Sequence, residues 1–176
     1  MSEIQERGAR IRLLILDVDG VLTDGRLLFD AEGRESKGFH VRDGHGIRLL
    51  QDAGIEVALI TARYSAALAH RARDLGIQRV YQGSVDKMVA YTELLFATQI
   101  AEEAIAYMGD DLIDLSILAR VGLATAPADA HPEVLARAHW VSARNGGMGA
   151  VRELSEEILR AQGHWDAIVA RALGRV

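Results

Sequence analysis

The sequence predicts an α/β protein: a doubly wound three-layer sandwich around a mostly parallel sheet. Three observations predict it. Short apolar runs rich in branched residues recur along the chain, stretches of helical spacing separate them, and the polar residues suited to chemistry stand where the apolar runs stop. Such runs cover 13–18, 56–60, 79–81, 105–108 and 122–124, and right-handed crossovers would place the intervening helices on both faces of the sheet.

The first run ends in Asp17-Val18-Asp19-Gly20-Val21-Leu22-Thr23-Asp24-Gly25. Two carboxylates flanking one Val repel each other unless a cation is present, and in parallel sheets ligands bind at the strands' carboxyl ends. Side chains alternate along a strand, so Asp17 and Asp19 are expected on one face, Asp17 to attack phosphorus and Asp19 to handle the leaving-group proton. Residues 25–41 break the βα rhythm: two short extended segments around a Gly-containing turn predict a β-hairpin flap over the site. Its Leu27, Leu28, Phe29 and Phe39 would be partly exposed, which predicts a homo-oligomer.

A helix is expected over 46–54, with Ile47, Leu50 and Ala53 on one face and Gly54 as its stop. Further helices are expected over 65–75, 87–98, 112–119 and 149–162, and no structure is assigned to the tail 163–176. The 176 residues fit a single domain, with no linker, repeat or low-complexity tract.

Strand ends also carry Thr61 and Arg63, Lys87 after the third run, and Asp110-Asp111-Leu112-Ile113-Asp114 after the fourth. A carboxylate approaching a phosphate dianion needs its repulsion offset. Mg²⁺ held by Asp17 and Asp110 would offset it, Lys87 would neutralise further charge, and Thr61 would donate to a phosphoryl oxygen. The backbone carbonyl of Asp19 is the third expected metal contact, and Asp114 is expected to support a neighbouring ligand or loop. The six His residues show no ligand-like spacing.

Bulk properties narrow the classes. The net charge of −5 gives no electrostatic footprint for nucleic acid, and no apolar run reaches the ~20 residues of a membrane span. There is no cysteine, which removes thiolate chemistry and fits a cytoplasmic protein.

These motifs, in order across about residues 11–120, resemble the haloacid dehalogenase superfamily of phosphohydrolases, and the short spacing after the first motif is similar to its capless branch. Within that branch the likeness is to members acting on an eight-carbon sugar-acid phosphate. It is carried by Phe39-His40-Val41-Arg42-Asp43-Gly44, Gly46-Ile47-Arg48, Ile60-Thr61-Ala62-Arg63, Ala128-Asp129-Ala130-His131-Pro132 and Gly149-Ala150-Val151-Arg152-Glu153. The resemblance implies a tetramer with flap and tail at subunit contacts, serving lipopolysaccharide synthesis. It also implies substrate contacts from Asp19, His40, Val41, Arg42, Asp43, Gly44, Arg48, Arg63, Arg71 and Lys87. Chemistry favours the arginines independently, because an acidic chain needs local cations to hold phosphate and carboxylate together. Two departures, Ala62 for the usual Gly and Met148 for a basic residue, keep a nine-carbon sialic-type acid 9-phosphate as the second substrate reading. A receiver-type phosphoacceptor and a non-catalytic oligomerisation module are the rival classes.

Overall fold

Strand β1 (Leu13–Leu16) is buried along its whole length, so its four side chains serve two cores. Leu14 and Leu16 face one and Leu13 and Ile15 the other, as alternation along a strand requires. The structure, a computed structural model, describes residues 2–175. β1 pairs in parallel with β4 (Glu56–Ile60) on one side and β6 (Ile105–Met108) on the other. With β5 (Arg79–Tyr81), β7 (Leu123–Ala126) and β8 (Trp140–Val141) the sheet runs β5-β4-β1-β6-β7-β8, every pairing parallel. The chain therefore builds outward from β1 in one direction, returns, and builds in the other. The reversal lies between β1 and β6, and ligands of doubly wound sheets bind at that point.

One core joins the sheet to α1 (Glu3–Gly8), α2 (Val41–Asp52), α3 (Ala66–Asp74) and α7 (Ala150–Ala161), through Ile4, Ile47, Leu50, Leu68, Leu154 and Ile158. On the opposite face α4 (Lys87–Thr98), α5 (Leu115–Leu118) and α6 (Pro132–Leu135) contribute Tyr91, Leu94, Ile117 and Val134. The three layers are those expected. No helix among the described residues is long and apolar enough to cross a membrane.

Several boundaries differ for physical reasons. α2 begins at Val41, not Gly46, because Gly44 and Gly46 are accommodated inside it; a side chain at Gly46 would meet the Ser155 side chain and Arg152 backbone of α7. The expected helix over 112–119 is a 3₁₀ turn at Leu112–Asp114 followed by α5. α1, α6 and the two-residue β8 are too short to leave a periodic signal. The tail forms α8 (Trp165–Ala172), whose Trp165 and Ile168 pack on the first core.

The flap is an antiparallel hairpin of β2 (Leu28–Phe29) and β3 (Glu35–Ser36), pairing Leu28 with Ser36 and Phe29 with Glu35. Asp30 closes its turn, accepting from the N–H groups of Glu32 and Arg34 at 3.0 and 2.9 Å. Leu27, Leu28 and Phe29 are each about half exposed, whereas Phe39 packs on the core.

Candidate active site

The ladder of β1 ends as the N–H of Asp17 donates to the carbonyl of Met108 at 3.0 Å. The chain then turns, with the Val18 carbonyl accepting from Leu22 and Thr23 at 2.9 and 3.0 Å. Gly20 sits at φ +91°, and a Cβ there would run into the carboxylate of Asp110. Glycine thus lets the loop after β1 lie against the loop after β6.

Asp17 is buried, and its Oδ1 lies 2.8 Å from Lys87 Nζ. Lys87 opens α4 behind the N-cap Asp86, whose carboxylate accepts from the N–H of Met88 at 3.0 Å. The lysine is buried as well, and a second partner, Asp114 Oδ1, lies 2.6 Å away. Asp114 Oδ1 also accepts from the Tyr107 hydroxyl at 2.5 Å, while its Oδ2 accepts from the N–H groups of Asp110 and Asp111 at 3.0 and 3.1 Å. This network reaches Asp110, whose Oδ1 is buried without a hydrogen-bond partner.

One oxygen from each of Asp17, Asp110 and Asp114 lies within 4.8 Å of the other two. Three carboxylates there face a single ammonium. Burial, with the nearby Asp114 adding to it and Lys87 opposing it, pushes Asp17 up to about 6. Burial, then the neighbouring Asp17 and Asp114, pushes Asp110 up to about 8. For Lys87 burial is overcome by the same two aspartates, which raise its pKa. The excess negative charge, the all-oxygen donor set and the unpartnered Asp110 Oδ1 fit a hard divalent cation between Asp17 and Asp110. Both Asp114 oxygens accept hydrogen bonds, from Lys87 and Tyr107 on one side and from the loop of Asp110 and Asp111 on the other.

Asp19 lies beyond the strand, in the loop after β1. Regular strand ends at Leu16, so alternation stops applying before Asp19 is reached. Its carboxylate meets the flap and the end of β4: Oδ1 accepts from Lys37 Nζ, and Oδ2 lies 3.8 Å from Arg63 Nε. Glu35 joins those cations, 3.1 Å from Lys37 and 2.5 Å from Arg63. Hydrogen bonding from Arg63 holds Glu35 below the usual carboxylate range, and Glu35 raises Arg63 in turn. Sequence reasoning missed Glu35 and Lys37. Their i, i+2 spacing around the exposed Ser36 was the available signal, since it puts both on one side of the flap. Thr61 follows β4 in a buried position, its hydroxyl accepting from the N–H of Arg63 at 3.3 Å.

The expected substrate residues divide. Lys87 borders the carboxylate cluster, and Arg63 and Asp19 face each other beside the flap. Asp43 is buried, and its carboxylate accepts from the N–H groups of Gly149 and Arg152 at 3.3 and 2.7 Å, anchoring the start of α7. Arg48 donates from Nη2 to the Asp74 carbonyl at 2.5 Å and ties α2 to the end of α3. Arg71 stacks over Phe39, 6.0 Å from the ring centroid, beside a cavity of only about 10 Å³ that also borders His40 and Gly44. That is room for about one water. Val41 and Arg42 are exposed at the first turn of α2, and His40 precedes it with a buried Nδ1 3.9 Å from Asp43.

Fold and site together define a phosphoryl-transfer hydrolase of the doubly wound class. The family described as haloacid dehalogenase-like hydrolase matches residues 74–154, a span holding Lys87, Asp110 and Asp114. The chain is 52% identical over 161 residues to the 3-deoxy-D-manno-octulosonate 8-phosphate phosphatase of Yersinia pestis, covering 92% of this chain and 86% of that one. Among solved structures it is similar to the 3-deoxy-D-manno-octulosonate 8-phosphate phosphatase of Moraxella catarrhalis in complex with magnesium, phosphate and KDO. That likeness has a TM-score of 0.94 at 39% identity, over 97% of this chain and 98% of that one. The cobalt-bound deoxy-D-mannose-octulosonate 8-phosphate phosphatase of Haemophilus influenzae matches with a TM-score of 0.88 at 43% identity, covering 92% and 94% of the two chains. The chain therefore belongs to the haloacid dehalogenase-like hydrolases, in the family of the 3-deoxy-D-manno-octulosonate 8-phosphate phosphatases.

Proposed function

We propose that this chain hydrolyses 3-deoxy-D-manno-octulosonate 8-phosphate to the free sugar acid and inorganic phosphate, with Mg²⁺ held by Asp17, Asp110 and the backbone carbonyl of Asp19. The observation that carries the reading is the pairing of a buried, lysine-flanked Asp17 with the unpartnered Asp110 Oδ1 across neighbouring strands. The named substrate of the relatives supplies the sugar. A divalent cation bound there screens the approach of one anion to another and polarises the phosphoryl oxygens.

An oxygen of Asp17 attacks phosphorus in line, and the bond from phosphorus to the sugar oxygen breaks as Asp19 gives that oxygen its proton. The sugar acid leaves as an alcohol, with the phosphoryl group on Asp17. Water then attacks phosphorus, Asp19 takes its proton, and the bond to Asp17 breaks to release phosphate. Lys87 keeps Asp17 ionised and oriented. Thr61 and Arg63 face the transferred group and the sugar. Monoester hydrolysis is so slow unaided that these groups together lower the barrier by on the order of 20 kcal/mol.

The half-exposed Leu27, Leu28 and Phe29 support assembly into a tetramer with the flap at subunit contacts, checked by sedimentation. The cysteine-free composition supports a cytoplasmic setting. Phosphate release is to be measured from KDO 8-phosphate beside a nine-carbon sialic-type acid 9-phosphate. Preference for the eight-carbon ester is expected, and preference for the other transfers the assignment to it. A stoichiometric, long-lived phosphoryl adduct without turnover would instead mark a receiver-type phosphoacceptor.

A further inference from the structure

The flap is exposed along most of its length, yet the side chains of Glu35 and Lys37 are not. Lys37 has only 2% of its side chain exposed, held between Asp19 Oδ1 and Glu35. Glu35 in turn binds Arg63, which follows β4, so one carboxylate on the hairpin ties together a cation from the flap and a cation from the sheet. A long polar side chain is rarely buried at a hairpin end unless its partners require it. The partner at the end of this chain of contacts is the carboxylate of Asp19.

The two oxygens of that carboxylate are not equivalent. Oδ1 accepts from Lys37, whereas Oδ2 is buried, accepts no hydrogen bond, and faces Arg63 Nε at 3.8 Å. A carboxyl group transfers its proton efficiently only when the carrying oxygen points at the acceptor, and a rotatable side chain without a second contact samples orientations that do not. Holding Oδ1 leaves Oδ2 as the oxygen that gives and takes the proton. Resting on the phosphatase reading above, we propose that Lys37 and Glu35 are positioning residues: an ion latch on the flap orients Asp19 for proton transfer to the leaving oxygen. The flap thereby contributes to chemistry, besides covering the site.

Orientation of an acid matters most when the leaving group is poor. Phenyl phosphate and 4-nitrophenyl phosphate have similar shape and no sugar, but nitrophenolate leaves with little help from a proton. For Lys37→Met, kcat/KM is expected to fall about tenfold more for phenyl phosphate than for 4-nitrophenyl phosphate, within the range that general acids supply. On KDO 8-phosphate, kcat falls with KM little changed, Lys37→Arg restores most of the loss, and Glu35→Gln reproduces part of it. Amide hydrogen exchange across 26–38, read without turnover, quickens in Glu35→Gln and Lys37→Met. Equal falls for the two aryl esters overturn the proposal, as does a rise in KM for KDO 8-phosphate with kcat intact, which would make Lys37 a sugar contact. Unchanged exchange in the flap overturns it too. A wild-type protein that hydrolyses the aryl esters but not KDO 8-phosphate refutes the substrate reading and leaves the ester comparison decisive for the latch; one that hydrolyses none refutes both.

Discussion

Asp114 holds the backbone of Asp110 in place: its Oδ2 accepts the Asp110 N–H at 3.0 Å, and its other oxygen is occupied by Lys87 and Tyr107. Removing it frees the loop that presents the Asp110 carboxylate and leaves Lys87 with one counter-charge. Asp114→Ala is expected to lose about 3–5 kcal/mol of stability and to weaken Mg²⁺ binding about 10- to 100-fold, read by denaturant unfolding and by calorimetric titration.

Among the described residues, Lys87 is the only ammonium paired within the cluster of three carboxylates. Lys87→Met is expected to destabilise the metal-free protein by about 3–5 kcal/mol. A divalent cation partly replaces the lost charge, so saturating Mg²⁺ raises the melting temperature of the variant by more than that of the wild type. Equal rises in the two proteins would contradict this account.

Metal-free stability should depend on pH with a definite sign. Asp17 and Asp110 are pushed up from 3.8 to about 6 and about 8, so folding favours their protonated forms. Their contribution is fully present below the unfolded value, near pH 4, and is lost as pH rises through about 6 and then about 8. The melting temperature of the metal-free protein therefore declines from pH 5 to about pH 9, by these groups, and Mg²⁺ flattens the decline. Near pH 7 the ion displaces protons on binding, which calorimetry in buffers of different ionisation enthalpy detects.

Asp17→Asn keeps the side chain's shape and leaves Lys87 its contact with Asp114. Phosphate release is expected to fall by three orders of magnitude or more with far-ultraviolet dichroism unchanged, because the amide cannot attack phosphorus. Substantial turnover in that variant would place the nucleophile elsewhere.

Asp43→Ala tests a structural role against a binding one. Two N–H groups at the start of α7 lose their acceptor, for an expected cost of about 1–3 kcal/mol, with KM for the sugar phosphate unchanged. A raised KM with stability intact would assign Asp43 to substrate binding.

The layered fold was legible because β1, β4 and β6 are uninterrupted apolar runs buried on both faces, and α4 begins at Lys87 as its N-cap Asp86 signals. Asp17, Lys87 and Asp110 were legible for a related reason: each stands at an element's end, where the reversal of the sheet gathers them. The partners of Asp19 were not, since Lys37 lies on the flap and Arg63 after β4, and regular strand ends at Leu16. Asp43 and Arg48 lie on a helix whose start was misplaced, and their partners, on α7 and after α3, are distant or set by tertiary packing. Local pattern carries no information about such contacts. The flap's Glu35 and Lys37 were hidden by their ordinariness, as charged residues in a hairpin are usually solvated.

The strand order carries a consequence for a chain still being synthesised. Asp17 stands beside β1 and Asp110 beside β6, and only the pairing of those two strands brings them together. Until β6 has left the ribosome, the nascent polypeptide exposes one edge of β1 and has neither Asp110 nor Asp114 to accompany Lys87. Ion capture is thus withheld from early co-translational species and coincides with closure of the sheet's centre.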